Sequence, residues 1–218
     1  MSLLDRATRH AALGDPRRLL IVDHLLTGDY TVAELAQLVD MPGNLLAHHL
    51  DVLDDATLIT RGTSEGDHRV RYVTLNRTAL PSLRLTEPSL DGLVAFVCTH
   101  NSARSQFAAA LWREATGGQS TSAGTHPADR VHPKAARVAM EFGVDISEEV
   151  PTGYDDLPGE LDVVVSVCDR AHEAGVPRAG NTLHWSVPDP VPMGTLAAFR
   201  SSFEDIARRI EHLSAKST

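Results

Sequence analysis

Apolar residues in the first third of the chain recur at the three- and four-residue spacing of helix faces. A first helix is predicted from the apolar positions Leu3, Leu4, Ala7, Ala11 and Ala12. A second helix is predicted from Asp15, a capping residue followed by Pro16, to Gly28, a residue type that commonly ends helices. Its predicted apolar face consists of Leu19, Leu20, Val22, Leu25 and Leu26. The pattern therefore indicates two consecutive amphipathic helices.

Two further helices and a hairpin are predicted next. Thr31 and Glu34 have the spacing of a capping box and predict the start of a third helix. After a turn at residues 41–43, Asn44 is predicted to cap a fourth helix in NLLAHHLDVLDDATL. Two short β-prone runs in ITRGTSEGDHRVRYVTL, separated by glycine, serine and aspartate, predict a β-hairpin. This order of elements predicts that residues 1–76 form a mainly α winged helix-turn-helix domain.

The periodicity changes after residue 76. Residues 77–92 contain two prolines and little periodicity, which is the composition of a linker. The run LVAFV at residues 93–97 is continuously apolar, as in a strand buried on both faces. From there on, short apolar runs alternate with helical patterns. We therefore expect residues 93–218 to form an α/β domain with a doubly wound, parallel, four-stranded sheet.

Composition narrows the class of protein. With 42% apolar residues, the 218-residue chain has the composition of an ordinary globular protein. No apolar window of about 18 residues predicts a membrane span, and the first residues lack the basic and apolar regions of a secretory signal. The two cysteines, Cys98 and Cys168, do not form a disulfide framework and fit a reducing cytoplasm.

The charge distribution does not by itself indicate a nucleic-acid-binding protein. The formal net charge is −9, and both predicted domains contain more acidic than basic residues. Proteins that bind nucleic acid through their overall charge are basic. A DNA-binding function would therefore have to depend on locally placed cationic side chains.

The segment VCTHNSARS carries the clearest candidate chemistry. Cys98 ends the predicted buried strand, and Arg104 follows six residues later at the head of an alanine-rich helix. A loop of this kind points its N–H groups inward and lies at the positive end of the helix, so it can bind a tetrahedral oxyanion. The arginine offers two parallel donors to two oxygens. Because the same positive field favours a thiolate, we expect a nucleophile at the base of an anion-binding loop.

The first domain resembles the arsenic-responsive, ArsR-type repressors. The resemblance covers residues 3–76 and is carried by ALGDPRRLLIVDHLL, TVAELAQLVDMP, LLAHHLDVLDDATLITR and VRYVTL. It implies a homodimer that binds operator DNA, although the last helix that family members use to dimerise is short or missing here. By position, the implied DNA-facing residues on the fourth helix are Asn44, His48 and His49. The implied phosphate contacts on the wing are Arg61, His68, Arg69 and Arg71.

Two observations qualify this resemblance. The acidic residues Asp51, Asp54 and Asp55 lie near the implied reading helix, so a winged helix that serves only dimerisation or protein binding remains an alternative. The first domain contains no cysteine, so it lacks the thiolate site with which many family members sense arsenite. We expect no metal site at His48 and His49, because adjacent helix residues point in different directions.

The second domain resembles the superfamily of low-molecular-weight tyrosine phosphatases and arsenate reductases. Cys98 to Ser105 fits the Cys-x5-Arg-Ser loop of that superfamily. Further matching segments, which extend the resemblance over residues 93–213, are SAGTHP, HPKAARVAMEFGVDIS, VVVSVCDRAHE and HWSVPDP. The resemblance implies that Cys98 is the nucleophile and that Asp189 is the general acid. The implied oxyanion-binding loop consists of Thr99, His100, Asn101, Ser102, Ala103 and Arg104.

The same resemblance suggests roles for two loop residues. Asn101 would support a left-handed backbone conformation, which asparagine tolerates. Ser105 would donate a hydrogen bond to the thiolate and help it leave. The alternatives are that Cys98 is a small buried apolar residue and that Asp189 is an ordinary loop aspartate before proline.

The flanking residues favour arsenate over an aryl phosphate. Ser105 is followed by Gln106 rather than by the proline typical of the phosphatases, and the residues after Asp189 include no tyrosine. Thioredoxin-coupled arsenate reductases use three cysteines. Cys168 matches the second of these, and the third position is Gly175. Turnover would need an external thiol reductant, thioredoxin or a low-molecular-weight thiol, and no bound cofactor.

Several outcomes remain open at this point. Cys168 could form a disulfide with Cys98, a small thiol could attack a Cys98–arsenate adduct directly, or Cys168 could be an inert core thiol. The leading hypothesis is a cytoplasmic arsenate reductase that also regulates transcription. The alternatives are a regulator whose second domain only senses an oxyanion, and a protein tyrosine phosphatase.

Overall fold

A computed structural model describes residues 2–82, 90 and 92–214 of the chain. Contacts divide these residues into two units, each with its own apolar core. Residues 2–64 and 68–82 belong to the first unit, and residues 65–67, 90 and 92–214 belong to the second. Within the described part of the chain, no helix is long and apolar enough to cross a membrane.

The first unit is a winged helix-turn-helix. Its elements are α1 (Leu3–Leu13), α2 (Pro16–Thr27), β1 (Tyr30–Thr31), α3 (Val32–Leu38), α4 (Gly43–Asp55), β2 (Ile59–Thr63) and β3 (Arg71–Leu75). The three strands form an antiparallel sheet in the order β1-β3-β2. Asp15 caps α2 by accepting the N–H groups of Arg17 and Arg18. Thr31 and Glu34 form the predicted capping box of α3.

Two local predictions in this unit were wrong. Helix α4 begins at Gly43 with Pro42 in the capping position, so Asn44 lies inside the helix and does not cap it. Leu19 and Leu20 are 37% and 42% exposed, whereas the buried residues of α2 are Ile21, Val22, Leu25 and Leu26. The buried stripe is thus made of pairs spaced four residues apart, and the two earlier leucines lie at its margin.

The beginning of the predicted linker packs against the core of the first unit. Residues Arg77–Ser82 form a 3-10 helix. Ala79 is 1% exposed and lies in the core of this unit. The buried guanidinium of Arg77 donates to the carbonyl oxygens of Leu25 and Leu26 at the end of α2. The remainder of the predicted linker falls largely on residues 83–89 and 91, which lie outside the described residues.

The second unit is the doubly wound α/β fold. Its elements are β4 (Val94–Cys98), α5 (Arg104–Thr116), β5 (Ser120–Gly124), α6 (Pro133–Glu141), β6 (Val163–Ser166), α7 (Asp169–Ala174), β7 (Asn181–His184), α8 (Pro190–Met193) and α9 (Leu196–Ser214). The four strands are parallel in the order β5-β4-β6-β7. The chain places β5 on one side of β4 and then places β6 on the other side, so the direction of strand addition reverses at β4. Ligands of such sheets bind at the carboxyl ends of the strands beside this switch point.

Strand β4 is buried on both faces, as its continuous apolar sequence predicts. Phe96 packs on one face with Trp112 and Trp185, at ring-centre distances of 6.2 and 5.9 Å. Ala95 and Val97 pack on the other face. Packing on both faces holds β4 in place. Cys98 is the last residue of this strand, so its backbone position is set by the core.

Candidate oxyanion site

The loop between β4 and α5 is wrapped around the sulfur of Cys98. The N–H of Asn101 donates to Cys98 Sγ at 3.2 Å, and Ser105 Oγ lies 3.0 Å from the same sulfur. Asn101 has a φ of 48°, in the left-handed region that asparagine adopts more readily than most residues. Cys98 is only 3% exposed, at the base of the loop. The loop therefore places a backbone N–H and a hydroxyl group within hydrogen-bond distance of the sulfur.

The buried side chain of Asn101 holds the loop in this shape. Its Nδ2 donates to Ser105 Oγ at 2.8 Å and to Ser122 Oγ at 2.9 Å. Its Oδ1 accepts the N–H of Thr152 at 2.9 Å and the Nε2 of Gln106 at 3.1 Å. Asn101 is fully buried, so these bonds are shielded from water. The sequence suggested a backbone role for Asn101 but gave no indication of this set of partners.

The contact with Asn101 also orients the hydroxyl of Ser105. Ser105 Oγ accepts a hydrogen bond from Asn101 Nδ2, so its own hydrogen remains available for Cys98 Sγ. A hydroxyl that donates to sulfur stabilises the thiolate form of a cysteine. The geometry is therefore compatible with the role that the resemblance implied for Ser105, which stays a prediction.

Ser105→Ala is expected to lower the rate of Cys98 alkylation by iodoacetamide at pH 7 about tenfold. The variant removes one hydrogen bond to a charged sulfur, which is worth about 1.5–3 kcal/mol. Ser120→Ala is the matched control, because Ser120 Oγ donates to the carbonyl of Ala109 and not to the loop. Equal alkylation rates for wild type and Ser105→Ala would contradict the assigned role.

Gly124 lets strand β5 approach the loop closely. A Cβ at this position would lie 2.7 Å from the carbonyl oxygen of Thr99 and 2.9 Å from the amide nitrogen of Asn101. Real Cβ atoms essentially never approach backbone atoms this closely. Sequence reasoning did not identify this glycine as part of the site, although it lies within the matching segment SAGTHP.

Arg104 is buried at the mouth of the loop. Its Nη1 donates to the carbonyl oxygen of Val187 at 2.8 Å, and its Nη2 lies 3.2 Å from Asp189 Oδ2. Burial lowers the pKa of Arg104, but the acidic groups around it, Cys168, Cys98, Asp189 and Glu65, outweigh this effect, so the pKa is raised above its ordinary value. The guanidinium is therefore a fixed positive charge beside the thiol and the candidate acid.

Two carboxylates of the second unit lie next to this guanidinium. Asp189 caps α8 by accepting the N–H of Val191 at 3.2 Å, which leaves its other oxygen facing Arg104. Glu65 Oε2 lies 3.5 Å from Arg104 Nη1, and the Glu65 carboxylate accepts the N–H of Asp189 at 2.9 and 3.0 Å. Glu65 was not identified from the sequence, because no local pattern indicates a partner 124 residues away.

Cys168 lies at the end of the neighbouring strand. It follows β6, which pairs with β4, and precedes α7. Its Sγ lies 3.1 Å from the hydroxyl of Thr99, a loop residue, and both cysteines are free and buried. This position is compatible with a redox partner and with an inert core thiol.

The position that would hold a third cysteine has a conformation suited to glycine. Gly175 ends α7 with a φ of 101°, a region that side-chain-bearing residues rarely adopt. A cysteine at this position would strain the backbone as it stands. Within the described residues, no group of three or more His, Cys, Asp and Glu side chains is arranged to hold a metal ion.

One of the residues implied to face DNA is buried. On α4, Asn44 and His48 are exposed, but His49 is only 4% exposed, so its side chain is not available to a DNA base. The placement of His49 on the DNA-facing side was therefore wrong. Neighbouring helix residues differ in direction by about 100°, so one of two adjacent histidines faces the core. Burial is the main reason why the pKa of His49 is lowered.

The wing residues are placed more favourably for contact with DNA phosphates. His68, Arg69 and Arg71 are exposed. Arg61, which was also expected to contact phosphate, lies 2.6 Å from Asp51 Oδ1 and 3.4 Å from Asp54 Oδ2. Two acidic partners on α4 thus balance the charge of Arg61. A phosphate would have to compete with them for its guanidinium.

Comparison with known proteins identifies both parts of the chain. Residues 93–217 match the low molecular weight phosphotyrosine protein phosphatase family, and residues 15–61 match the arsR family of bacterial regulatory proteins. An arsenate reductase of Halalkalibacterium halodurans is 33% identical over 129 residues, which are 55% of this chain and 92% of that protein. A glutaredoxin arsenate reductase of Synechocystis sp. is 32% identical over 130 residues, or 56% and 96% of the two chains.

A solved structure supports the same relationship. A protein described as an arsenate reductase in the oxidized state is 29% identical, with a TM-score of 0.50, and the match covers 56% of this chain and 95% of that one. The family match at residues 93–217 spans more than half of the 218 residues. The chain therefore belongs to the low-molecular-weight phosphotyrosine protein phosphatase family, and it carries an ArsR-family helix-turn-helix in its N-terminal part.

Proposed function

We propose that this protein is an arsenate reductase that also regulates transcription by binding operator DNA. The observation that carries the reductase proposal is the arrangement around Cys98. Its sulfur receives the N–H of Asn101 and the hydroxyl of Ser105, and the loop ends at Arg104, which contacts Asp189. This arrangement combines a nucleophile, an oxyanion cradle and an acid in one place.

The first step is the formation of a bond between Cys98 and arsenic. Loop N–H groups and Arg104 hold the arsenate oxygens, and the Cys98 thiolate attacks the arsenic in line with the leaving oxygen. Asp189 acts as the general acid that delivers a proton to that oxygen, which departs as water. The product is a Cys98–S–As(V) ester, and no electron has yet been transferred.

The second step transfers two electrons. A second thiolate attacks Cys98 Sγ, an S–S bond forms, and the electron pair of the S–As bond goes to the arsenic. Arsenic leaves as arsenite, now As(III), and the two sulfurs are oxidised to a disulfide. A further thiol reduces this disulfide and restores Cys98. Overall, two thiols and one arsenate give one disulfide, one arsenite and one water.

The test is arsenate-dependent oxidation of thiols by the full chain, with dithiothreitol, reduced thioredoxin or glutathione as the reductant. Wild type should turn over, and Cys98→Ser should not. Cys168→Ser separates the two routes for the second step. It should abolish turnover if Cys168 attacks Cys98, and it should preserve turnover if the external thiol does. Absence of turnover by wild type with every reductant would overturn the reductase proposal.

The same assay distinguishes the alternatives. Cleavage of p-nitrophenyl phosphate without arsenate turnover would indicate a phosphatase. Operator binding that changes with arsenate or phosphate, without turnover of either substrate, would indicate an oxyanion sensor. The polar side chain of Gln106 after Ser105, and Val191 and Met193 after Asp189, support a small inorganic oxyanion over an aryl phosphate.

The DNA-binding proposal is supported by the ArsR-family match and by exposed polar residues on α4 and the wing. Leu3 and Leu4 are 78% and 74% exposed on α1, which supports a homodimer formed through this helix. Sedimentation should give a dimer, and electrophoretic mobility shift should give operator binding that weakens in His48→Ala. A monomeric protein that does not bind DNA from its own promoter region would contradict the DNA-binding proposal.

A further inference from the structure

The side chain of Glu65, a residue of the second unit, lies at the mouth of the oxyanion loop. Its two carboxylate oxygens accept the N–H of Asp189 at 2.9 and 3.0 Å, and its Oε2 lies 3.5 Å from Arg104 Nη1. The Glu65 side chain is 37% exposed, against 5% for Arg104 and 15% for Asp189. Of these three charged groups, Glu65 is therefore the one that solvent reaches most. The mechanism proposed above assigns it no step.

The backbone around Glu65 is anchored to helix α7. The N–H of Glu65 donates to Asp169 Oδ2 at 2.9 Å, and Arg170 Nε donates to the carbonyl oxygen of Glu65 at 3.2 Å. Two residues later, the N–H of Asp67 donates to Glu173 Oε2 at 2.7 Å. All three side chains that hold this segment belong to α7. Contacts on both sides of its peptide groups therefore give Glu65 a defined position.

Asp169 is a charged anchor for this backbone. It is only 2% exposed. Burial raises its pKa, but hydrogen bonds from His184 and from the N–H of Glu65 outweigh this effect, so the pKa lies below its ordinary value. The side chain is therefore a carboxylate at pH 7. Hydrogen bonds to an ionised acceptor are stronger than bonds between neutral groups, so this contact holds Glu65 firmly.

The position of Glu65 matters for the group that leaves. Cys98 lies at the base of the loop, and in-line attack directs the leaving oxygen away from its sulfur, out of the mouth of the loop. The acid that protonates this oxygen has to lie within hydrogen-bond reach of it, which places the oxygen beside Asp189. The hydroxyl that leaves arsenate ends there. An ester continues beyond this oxygen, so its substituent extends past Asp189 to the carboxylate of Glu65.

An aromatic substituent at this point is disfavoured for two physical reasons. The ring would displace water from the Glu65 carboxylate without offering a hydrogen bond in return, and an ionised group that loses its water pays a large cost. The face of an aromatic ring also carries partial negative charge, which a carboxylate repels. Binding sites commonly gain specificity from a group that repels the wrong ligand. A bare tetrahedral oxyanion meets neither penalty.

We propose that Glu65 is a specificity-determining residue, whose carboxylate excludes aryl esters from the oxyanion site and admits inorganic oxyanions. This inference rests on the oxyanion chemistry proposed for Cys98, and it names the substrate class that the site rejects. Glu65 acts on the part of a ligand that lies beyond the leaving oxygen. Its removal should therefore change the preference between ligands that share the same tetrahedral head and differ in their substituent.

The test measures how well inorganic phosphate and phenylphosphonate protect Cys98 of the full chain from iodoacetamide, by mass spectrometry of the Cys98 peptide. Phenylphosphonate carries an aromatic ring on phosphorus through a bond that is not hydrolysed. In wild type it should bind about tenfold more weakly than phosphate, and in Glu65→Ala this ratio should fall to about twofold or less. Loss of a negative charge beside Arg104 strengthens binding of both anions, so the ratio isolates the effect on the ring. Glu148→Ala, which removes an exposed glutamate, should keep the wild-type ratio.

A second variant guards against damage to the loop. Glu65→Gln keeps the length of the side chain and removes its charge, so it should lower the ratio in the same direction, and it decides the question if Glu65→Ala no longer binds phosphate. The inference is overturned if wild type binds both ligands equally, or if a variant that still binds phosphate keeps the wild-type ratio. Failure of phosphate to protect Cys98 in wild type would instead overturn the oxyanion site itself, and with it this inference.

Discussion

Arg104→Lys should lower kcat/KM for arsenate on the order of a hundredfold, although it keeps the positive charge. The planar guanidinium of Arg104 donates to Val187 and contacts Asp189 from two different nitrogens. A lysine ammonium is a point charge on a flexible stem and cannot make both contacts with parallel donors to an oxyanion. Loss of one well-placed donor to a reacting oxyanion costs about a hundredfold or more.

The matched control for this substitution lies on the same helix. Arg113 of α5 is half-exposed and pairs with Glu149 at 2.6 Å. Arg113→Lys should keep activity within about twofold, because exposed ion pairs contribute little. Steady-state kinetics of both variants is the measurement. Near-wild-type kcat/KM in Arg104→Lys would show that charge alone, without the two-nitrogen geometry, is sufficient.

Gly124→Ala should impair both stability and oxyanion binding. The added methyl group would meet the backbone of Thr99 and Asn101, which cannot move aside as a flexible side chain would. Overpacking of this kind costs about 1–3 kcal/mol of folding free energy. Because the atoms that must shift belong to the loop, affinity for phosphate should fall by about tenfold or more, in line with the same energy range.

Gly159→Ala is the control for Gly124→Ala. A Cβ at Gly159 meets no heavy atom within 4 Å, so this variant should match wild type. Thermal unfolding reports stability, and protection of Cys98 from iodoacetamide by phosphate reports binding. If Gly124→Ala keeps full phosphate protection, the close contact between β5 and the loop is not needed for the shape of the site.

The parts of the fold that depend on local sequence were predictable. The run of apolar residues before Cys98 indicated a strand buried on both faces, and the structure contains it as β4. The capping box of Thr31 and Glu34 and the parallel four-stranded sheet also agree with the prediction. For the strand and the capping box, neighbouring residues carry the signal, because helix caps and strand burial are decided within a few positions. The parallel sheet was indicated by the alternation of strand and helix patterns along the second domain.

The parts that depend on distant contacts were not predictable. The pairing of Arg61 with Asp51 and Asp54, the burial of His49 and the contact of Glu65 with Arg104 all depend on how elements pack. Periodicity could not show which of two adjacent histidines faces the core. The requirement for glycine at position 124 likewise follows from a backbone-to-backbone approach that the sequence does not show.

The partners of Asn101 have a consequence for how the protein could acquire new substrates. Its side chain joins the loop to Ser105, Ser122 and Thr152, so contacts within the protein define the shape of the loop. Substitutions at residues outside these contacts can therefore change which molecules reach the loop without changing the loop itself. Selection, in nature or in the laboratory, can therefore act separately on access to the loop and on the loop itself.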